Sequence, residues 1–327
     1  MEATQPTLKD WLSFSASQVH TSVADRKLAV LFSIDGTQRY YLLKNPTTNG
    51  QITDFEDYAA FSAKAYATIF EMFFSLGIKT LLCPILIENN FWRGEKYIAK
   101  SLEMFQTFFL HRPMTELYQK LNLKVRLYGD YAFAPAAQPF QSQIETLEKG
   151  LEELTPDGEQ TLLLGIYGGS LTDEIITRSA QLYSSLERVP SEKELRATWF
   201  PDGPERLHLF INSGWLIGAG LIPAIFANNA VDLYTLNTLA LDMPELTLRH
   251  ILYDHLFRRH AAPYDDTKYS EENIKEFAQY YTAHRDCVVG LGHLIGPNLW
   301  YPDHPEIEAN NVPNNKFTRL EVINVHE

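Results

Sequence analysis

Residues 30–45, "VLFSIDGTQRYYLLKN", run from an apolar stretch into Asp35-Gly36-Thr37-Gln38-Arg39 and then two tyrosines. The fuller segment 27–35, "KLAVLFSID", reads as a strand buried on both faces. A strand that gives way to Gly36 and then to a helix or loop exposes free backbone N–H groups, which suit a phosphate. Arg39 could grip phosphate oxygens as a fork, and Asp35 could hold a magnesium ion bridging them. The plain alternative is an aspartate capping a tight turn, with Arg39 as its surface partner. Spacing alone slightly favours the capped turn, and both readings stay open at this point.

Outward from this corner, short β-rich runs alternate with longer helical patterns. Further strands are expected at 78–86, 124–130, 161–169, 206–212 and 230–236. Between them, 57–76 carries apolar positions at Tyr58, Phe61, Ala65, Ile69, Phe73 and Leu76, a helical stripe ended by Gly77. Helices are also expected at 94–112 (broken near Pro113 and resumed to Leu121), 140–154, 171–187, 191–199 and 246–260. This order predicts an α/β fold, a mostly parallel central sheet covered by helices on both faces. Ligands of such sheets sit beyond the carboxyl ends of the strands. Asp35, Asp130, Gly168-Gly169 and the loop after Asn212 therefore belong to one rim. The expectation is a single domain over 1–327 with its core at about 27–260. The polar, turn-rich segment 262–327 would wrap the surface or a partner subunit.

Hydrophobic residues make up 45% of the 327-residue chain, enough for a buried core rather than disorder. A formal charge of −13 disfavours nonspecific binding to nucleic acid or an anionic membrane. A phosphate would need local arginines, amides or a metal. The first residues, "MEATQPTLKDWLSF", lack a basic-then-apolar signal pattern, and "LIGAGLIPAIF" (216–226) is too short to span a bilayer. Two cysteines, Cys83 and Cys287, stand in no metal or redox spacing. A soluble cytoplasmic protein is expected.

Familiar motifs are mostly missing. There is no GxGxxG after the first strand, no GxxxxGK[ST], no GxSxG, no HExxH, and no DDxxD or DxDD cluster. The loop "ENNFWRGEKY" (88–97) sets Trp92 and Arg93 just after a strand, where a lid over an apolar anion and a packed loop are equally good readings. Ser170 and Asp173 fit a simple helix start. "LRHILYDHLFRRH" (248–260) reads mainly as an amphipathic helix with a basic end. Asp232, inside an apolar strand, must be paired or bind a cation, since a lone buried acid is costly.

In sequence order, "DGTQRYY", the 57–76 helix, "FWRG", "RLYGD", "IYGG" and "VDLYT" resemble the cis-prenyltransferase family over about 30–260. Asp35-Gly36-Thr37-Gln38-Arg39-Tyr40, "YGDY" (128–131), "LRHILYDH" (248–255) and "DCVVGLGHLIGPNLWY" (286–301) resemble more closely a divergent branch, that of the diterpene synthases and diterpenyl transferases of this fold. The resemblance implies that the Asp35 corner binds the diphosphate of an allylic substrate. Asp35 carries over as catalytic acid and Mg²⁺ ligand, and Gly36, Thr37, Gln38 and Arg39 as the diphosphate cradle. Arg93 carries over as a further diphosphate contact, Tyr58 as a functional tyrosine, and Asp232 as an acidic metal ligand. Homodimerisation is also implied.

Two departures stand out. Elongating members carry an arginine- and serine-rich segment after the fifth strand that holds a second diphosphate. Here Asn212-Ser213-Gly214-Trp215-Leu216-Ile217-Gly218 has no basic residue. Gln38 replaces an arginine of the divergent branch. The function implied is ionisation of a preformed bicyclic diterpenyl diphosphate with Mg²⁺ and capture of the cation by water, giving a tertiary alcohol of the kolavelool type. Transfer to a nucleoside such as adenosine is the alternative. Chain elongation and a non-catalytic partner subunit are weaker readings.

Overall fold

The structure is a computed structural model that describes residues 5–46, 51–200, 203–214, 222–223, 226, 230–259, 269–285, 291–295 and 299–302. The chain divides into two compact units, 1–260 and 261–327.

The first unit opens with α1 (Leu8–Ser13) and α2 (Ala16–Ala24), each started by a capping box, Thr7 with Asp10 and Ser15 with Gln18. Strand β1 (Ala29–Phe32) leads into α3 (Thr37–Lys44) and the long α4 (Phe55–Ser75), followed by β2 (Thr80–Leu86). Then come α5 (Glu88–Phe91), α6 (Glu95–Phe109), α7 (Met114–Leu121), β3 (Leu123–Tyr128), α8 (Gln141–Leu154) and β4 (Gln160–Ile166). The unit continues through α9 (Leu171–Leu186), α10 (Glu192–Ala197), β5 (Leu209–Ser213), β6 (Asp232–Leu236) and α11 (Glu245–Tyr253), which passes into a π-helical turn at Asp254–Arg259.

Six strands form one sheet in the order β3-β4-β2-β1-β5-β6, and every neighbouring pair is parallel. All six carboxyl ends therefore lie on one edge. The connection leaves β1 for β2 on one side, while β5 returns to the other side of β1. The reversal of strand order thus falls between β1 and β5, where a doubly wound sheet leaves its ligand crevice. Asp35 stands at that point.

Alternation along the strands sorts the core into two layers. Val30, Phe32, Leu81, Cys83, Leu209 and Ile211 pack with the α4 side, the larger layer. Ala29, Leu31, Leu82, Leu163 and Phe210 pack with Trp199, Phe200 and Phe226 on the other face. The N-terminal helices are pinned to α11: the Trp11 indole N–H donates to Arg249 O at 2.9 Å, and Arg249 Nη1 donates to Phe14 O at 2.6 Å.

On α4 the buried line differs from the expected stripe. Tyr58, Ser62, Tyr66, Phe70 and Phe73 are buried, whereas Phe61 and Ala65 are only half-buried. The buried line runs one position past Phe61 and Ala65, taking in the polar Ser62 and the tyrosine Tyr66.

The second unit contains α12 (Glu271–Ala283), capped by Ser270 and Asn273, and an antiparallel pair of β7 (Gly292–Ile295) with β8 (Leu299–Pro302). No helix among the described residues is long and apolar enough to cross a membrane. Most of 216–226, and parts of 286–301, lie outside the described residues.

Gly129 closes β3 with φ +119°, and a Cβ there would lie 2.1 Å from Ile166 O. Gly129→Ala combines backbone strain with a clash against main chain. It is expected to lower stability by about 3 kcal/mol or more in urea unfolding.

Candidate active site

The corner begins where β1 stops. Ser33 N–H still donates to Ile211 O on β5 at 2.9 Å, and the chain then leaves the sheet. Asp35 Oδ1 accepts the Gly36 N–H at 2.7 Å, and Oδ2 accepts from Arg39 Nη2 at 2.9 Å. Gly36 has φ +80°, and a Cβ on it would lie 2.8 Å from both Arg39 Nη2 and Leu239 Cδ2. Only glycine fits that turn without displacing the guanidinium. Helix α3 starts on Gly36 with no side-chain cap and no acidic residue in its first turn. Its first N–H groups and its positive dipole end are left available to an anion. Arg39 Nε is buried without a hydrogen-bond partner.

The Asp35 and Arg39 side chains are 59% and 38% exposed. Such a pair contributes about 1 kcal/mol or less to stability. Exchanging it for a ligand therefore costs the fold little.

Helix α4 joins this corner to the amino end of β2 on the opposite edge, so its own first turns lie at the rim. Tyr58 is buried there, edge-on to Tyr41 at 5.2 Å. Burial pushes its phenol up to about 12, so Tyr58 is a neutral hydroxyl at working pH. The Tyr41 hydroxyl donates to Asp57 Oδ2 at 2.6 Å, which together with burial raises its own pKa. Arg93, in the loop between α5 and α6, is exposed. Its Nη1 donates to the Tyr97 hydroxyl at 3.0 Å, and its guanidinium stacks on that ring at 4.9 Å. Tyr97 in turn lies close enough to Tyr58 to raise its pKa slightly. Arg93 is thus held by Tyr97, a neighbour of Tyr58. Gln38 and Trp92 are exposed.

Among known proteins the chain is similar, at 25% identity over 279 residues, to tuberculosinyl adenosine transferase of Mycobacterium tuberculosis, covering 84% of this chain and 90% of that protein. It is 26% identical over 310 residues to (+)-kolavelool synthase of Herpetosiphon aurantiacus, covering 93% and 98%. No family model matches the chain. Two solved structures share its architecture. Lavandulyl diphosphate synthase from Lavandula x intermedia, in complex with dimethylallyl diphosphate, superposes with TM-score 0.55 at 15% identity, over 69% of this chain and 94% of that one. A probable undecaprenyl diphosphate synthase from Campylobacter jejuni gives 0.52 at 16%, over 71% and 96%. The fold is that of the cis-prenyltransferases. The chain is an enzyme of this fold.

Within this cis-prenyltransferase fold, Asp35, Gly36, Thr37, Gln38 and Arg39 form one corner, Tyr58 packs on Tyr41 of the helix that leaves it, and Arg93 stacks on Tyr97. Asp232 is elsewhere. Val30, Leu209 and Asp232 lie abreast in the sheet, so Asp232 opens β6 at the opposite edge. It is separated from Asp35 by roughly 15 Å along the strand direction. Its Oδ2 lies 2.6 Å from His255 Nδ1 and its Oδ1 lies 3.5 Å from Arg259 Nη1. Within the chain Asp35 and Asp232 are not brought together, and Asp232 is engaged by His255 and Arg259. No cluster of three His, Cys, Asp or Glu side chains able to hold a metal occurs among the described residues.

The remaining candidates have local duties. Ser170 caps α9 by accepting the Asp173 N–H at 3.0 Å, as the sequence suggests. Asp254 accepts from the Tyr234 hydroxyl and from Arg259 Nε, both at 2.7 Å. Asp130 is buried and accepts the Gly168 N–H at 2.7 Å, joining the ends of β3 and β4; burial raises its pKa. Nearby, a cleft of about 290 Å³ is walled by Tyr128, Phe133, Arg178, Gln181 and Trp199. Arg178 is spent there on Gly129 O, Thr198 O and Glu174. This end of the rim is a latch.

Glu174 is fully buried, and its carboxyl is pushed up to about 7 by burial, partly offset by Arg178. Because the folded pKa exceeds the unfolded one, its stabilising contribution is complete below pH 4.5 and lost as pH rises through about 7. The difference corresponds to roughly 3 kcal/mol. Stability measured from pH 4.5 to 8 should therefore fall more steeply in the wild type than in Glu174→Gln; parallel profiles would contradict the assignment.

Proposed function

We propose that the protein is a diterpene synthase, which ionises a bicyclic diterpenyl diphosphate and lets water capture the allylic cation, releasing diphosphate and a tertiary alcohol. One observation carries the reading. A carboxylate, a guanidinium with an unpartnered buried N–H, and an uncapped helix start converge on the sheet's switch point. The similarity to (+)-kolavelool synthase over nearly its whole length supports the substrate class.

In this reading the diphosphate lies against the first turn of α3, accepting N–H groups of Thr37 to Arg39 and the free Arg39 Nε–H. Arg93 adds positive charge from the flank. Asp35 fits Mg²⁺ in the mode that ion prefers: one exposed protein carboxylate, with substrate phosphates and water completing the shell. When bound, Mg²⁺ neutralises charge on the departing diphosphate. Arg39 and the helix amides hold that leaving group while the C–O bond breaks, and fixed donors are worth more there than mobile water. Tyr58, neutral and buried, orients the incoming nucleophile. The enzyme would work in the cytoplasm as a homodimer, without nucleic acid.

A second reading, transfer of the diterpenyl group to a nucleoside, is supported by the similarity to tuberculosinyl adenosine transferase. Chain elongation fits poorly, because Asn212-Ser213-Gly214 at the end of β5 offers no basic residue for a second diphosphate.

The test is incubation with a panel of diterpenyl diphosphates and Mg²⁺, with and without adenosine, followed by mass analysis and diphosphate measurement. Alcohol and free diphosphate are expected, unchanged by adenosine; a prenylated nucleoside would favour the second reading. Asp35→Ala, or chelation of Mg²⁺, is expected to lower diphosphate release by about 100-fold or more. Release retained by Asp35→Ala would sink the proposal.

A further inference from the structure

Tyr66 stands where the polar corner meets the apolar interior. It is 5% exposed, and its hydroxyl lies 3.4 Å from Thr37 Oγ1, the first helical residue after Gly36. Its ring packs edge-on to Phe70 at 5.7 Å, with Phe108 and Phe109 at 6.0 and 6.2 Å. One turn earlier on the same helix face is Ser62, 1% exposed, whose Oγ makes no hydrogen bond of good geometry but lies close enough to the Tyr58 hydroxyl to lower its pKa. One turn before that is Tyr58. Three hydroxyls thus stand in line at helical spacing along a buried face.

The plain reading makes Tyr66 a large core residue and Ser62 a small one. Two facts weigh against it. A buried hydroxyl this poorly bonded is destabilising, and alanine would fill the Ser62 position without that cost. The Tyr66 hydroxyl also turns toward Thr37, where the proposed diphosphate would sit, while its ring joins the phenylalanines that would face the hydrocarbon.

We infer that Tyr66, aided by Ser62, works with Tyr58 to position the water that captures the diterpenyl cation, and that Tyr66 passes on the proton that water sheds. The inference rests on the reading of the Asp35 corner given above. An amphiphilic substrate with its diphosphate on α3 that parts the close-packed rings of Phe70, Phe108 and Phe109 to admit its hydrocarbon has its scissile C–O bond beside the Tyr66 hydroxyl. When that bond breaks, the electron pair leaves with the diphosphate. Water oxygen then bonds to the cationic carbon. Its released proton goes to the Tyr66 oxygen as the Tyr66 proton moves through the Thr37 hydroxyl to a diphosphate oxygen, the base of the reaction. Diterpenyl diphosphate and water thus become alcohol and protonated diphosphate. Burial raises the Tyr66 pKa, which suits a relay that stays neutral between transfers rather than an ionised base. Without an ordered water, the cation loses a C–H proton to diphosphate and becomes an alkene.

The experiment compares wild type, Tyr66→Phe and Ser62→Ala on the diterpenyl diphosphate that the wild type converts, with Mg²⁺ in ¹⁸O-labelled water. Alcohol, alkene and diphosphate are all quantified. The alcohol-to-alkene ratio per diphosphate released should fall about fivefold or more in Tyr66→Phe, with a smaller fall in Ser62→Ala, the scale of one lost hydrogen bond. The wild-type alcohol should carry ¹⁸O. An unchanged ratio in Tyr66→Phe, or alcohol without the label, overturns the inference. If Tyr66→Phe does not fold, an unchanged ratio in Ser62→Ala overturns it by the same criterion. A wild type that releases no diphosphate from any substrate of the panel instead refutes the parent reading, and this one falls with it.

Discussion

Gly36 turns the chain with φ +80° just beyond the central strand, and a side chain there would strike both the Arg39 guanidinium and Leu239. That steric constraint aims α3 back at the sheet edge, sets Arg39 one helical turn from Asp35, and leaves the helix start open. The parallel order of the strands makes the turn matter, because strand order reverses beside it. A substitution at Gly36 would disturb conformation, ion pair and anion cradle together. The fold concentrates the chemistry at a point that no other residue type could occupy.

Charge is allotted with similar economy. A chain of net charge −13 is poorly disposed to attract a diphosphate by its overall field, so recognition has to be local. The Asp35–Arg39 pair is exposed and weak, and is therefore available for exchange. Elsewhere, acids are withdrawn into structural work: Asp232 with His255 and Arg259 at the far edge of the sheet, and Glu174 with Arg178 behind the β3–β4 rim. Breaking a buried pair leaves an uncompensated charge, which costs far more than losing a surface contact. Similar residue types thus serve as ligands in one place and braces in another, distinguished by exposure and partner.

Much of the architecture was legible because strands and helices announce themselves by period. The buried runs at 27–35, 78–86 and 161–169 fall on β1, β2 and β4, and the turn at Asp35 with Arg39 as its partner was readable from Asp-Gly followed by Arg. Sequence order alone could not place Asp232, since its distance from Asp35 depends on strand register. An acid in "VDLYT" looks the same at either edge of a sheet. Ser62 and Tyr66 lie one position past Phe61 and Ala65, so a stripe drawn through Tyr58, Phe61, Ala65 and Ile69 runs beside them. The repeat Tyr58, Ser62, Tyr66 at four-residue spacing was the available signal. The helices at 8–13 and 16–24 are short, and their signal in the sequence is the pair of capping boxes Thr7–Asp10 and Ser15–Gln18.

The central claim is that the Asp35 corner binds a metal–diphosphate unit. Mn²⁺, used as a paramagnetic stand-in for Mg²⁺, can be titrated into the protein with and without inorganic diphosphate and followed by electron paramagnetic resonance. The account predicts tight Mn²⁺ binding only when diphosphate is present, weakened about tenfold or more in Asp35→Asn, in line with a lost carboxylate ligand. Equal binding by Asp35→Asn and wild type would contradict it.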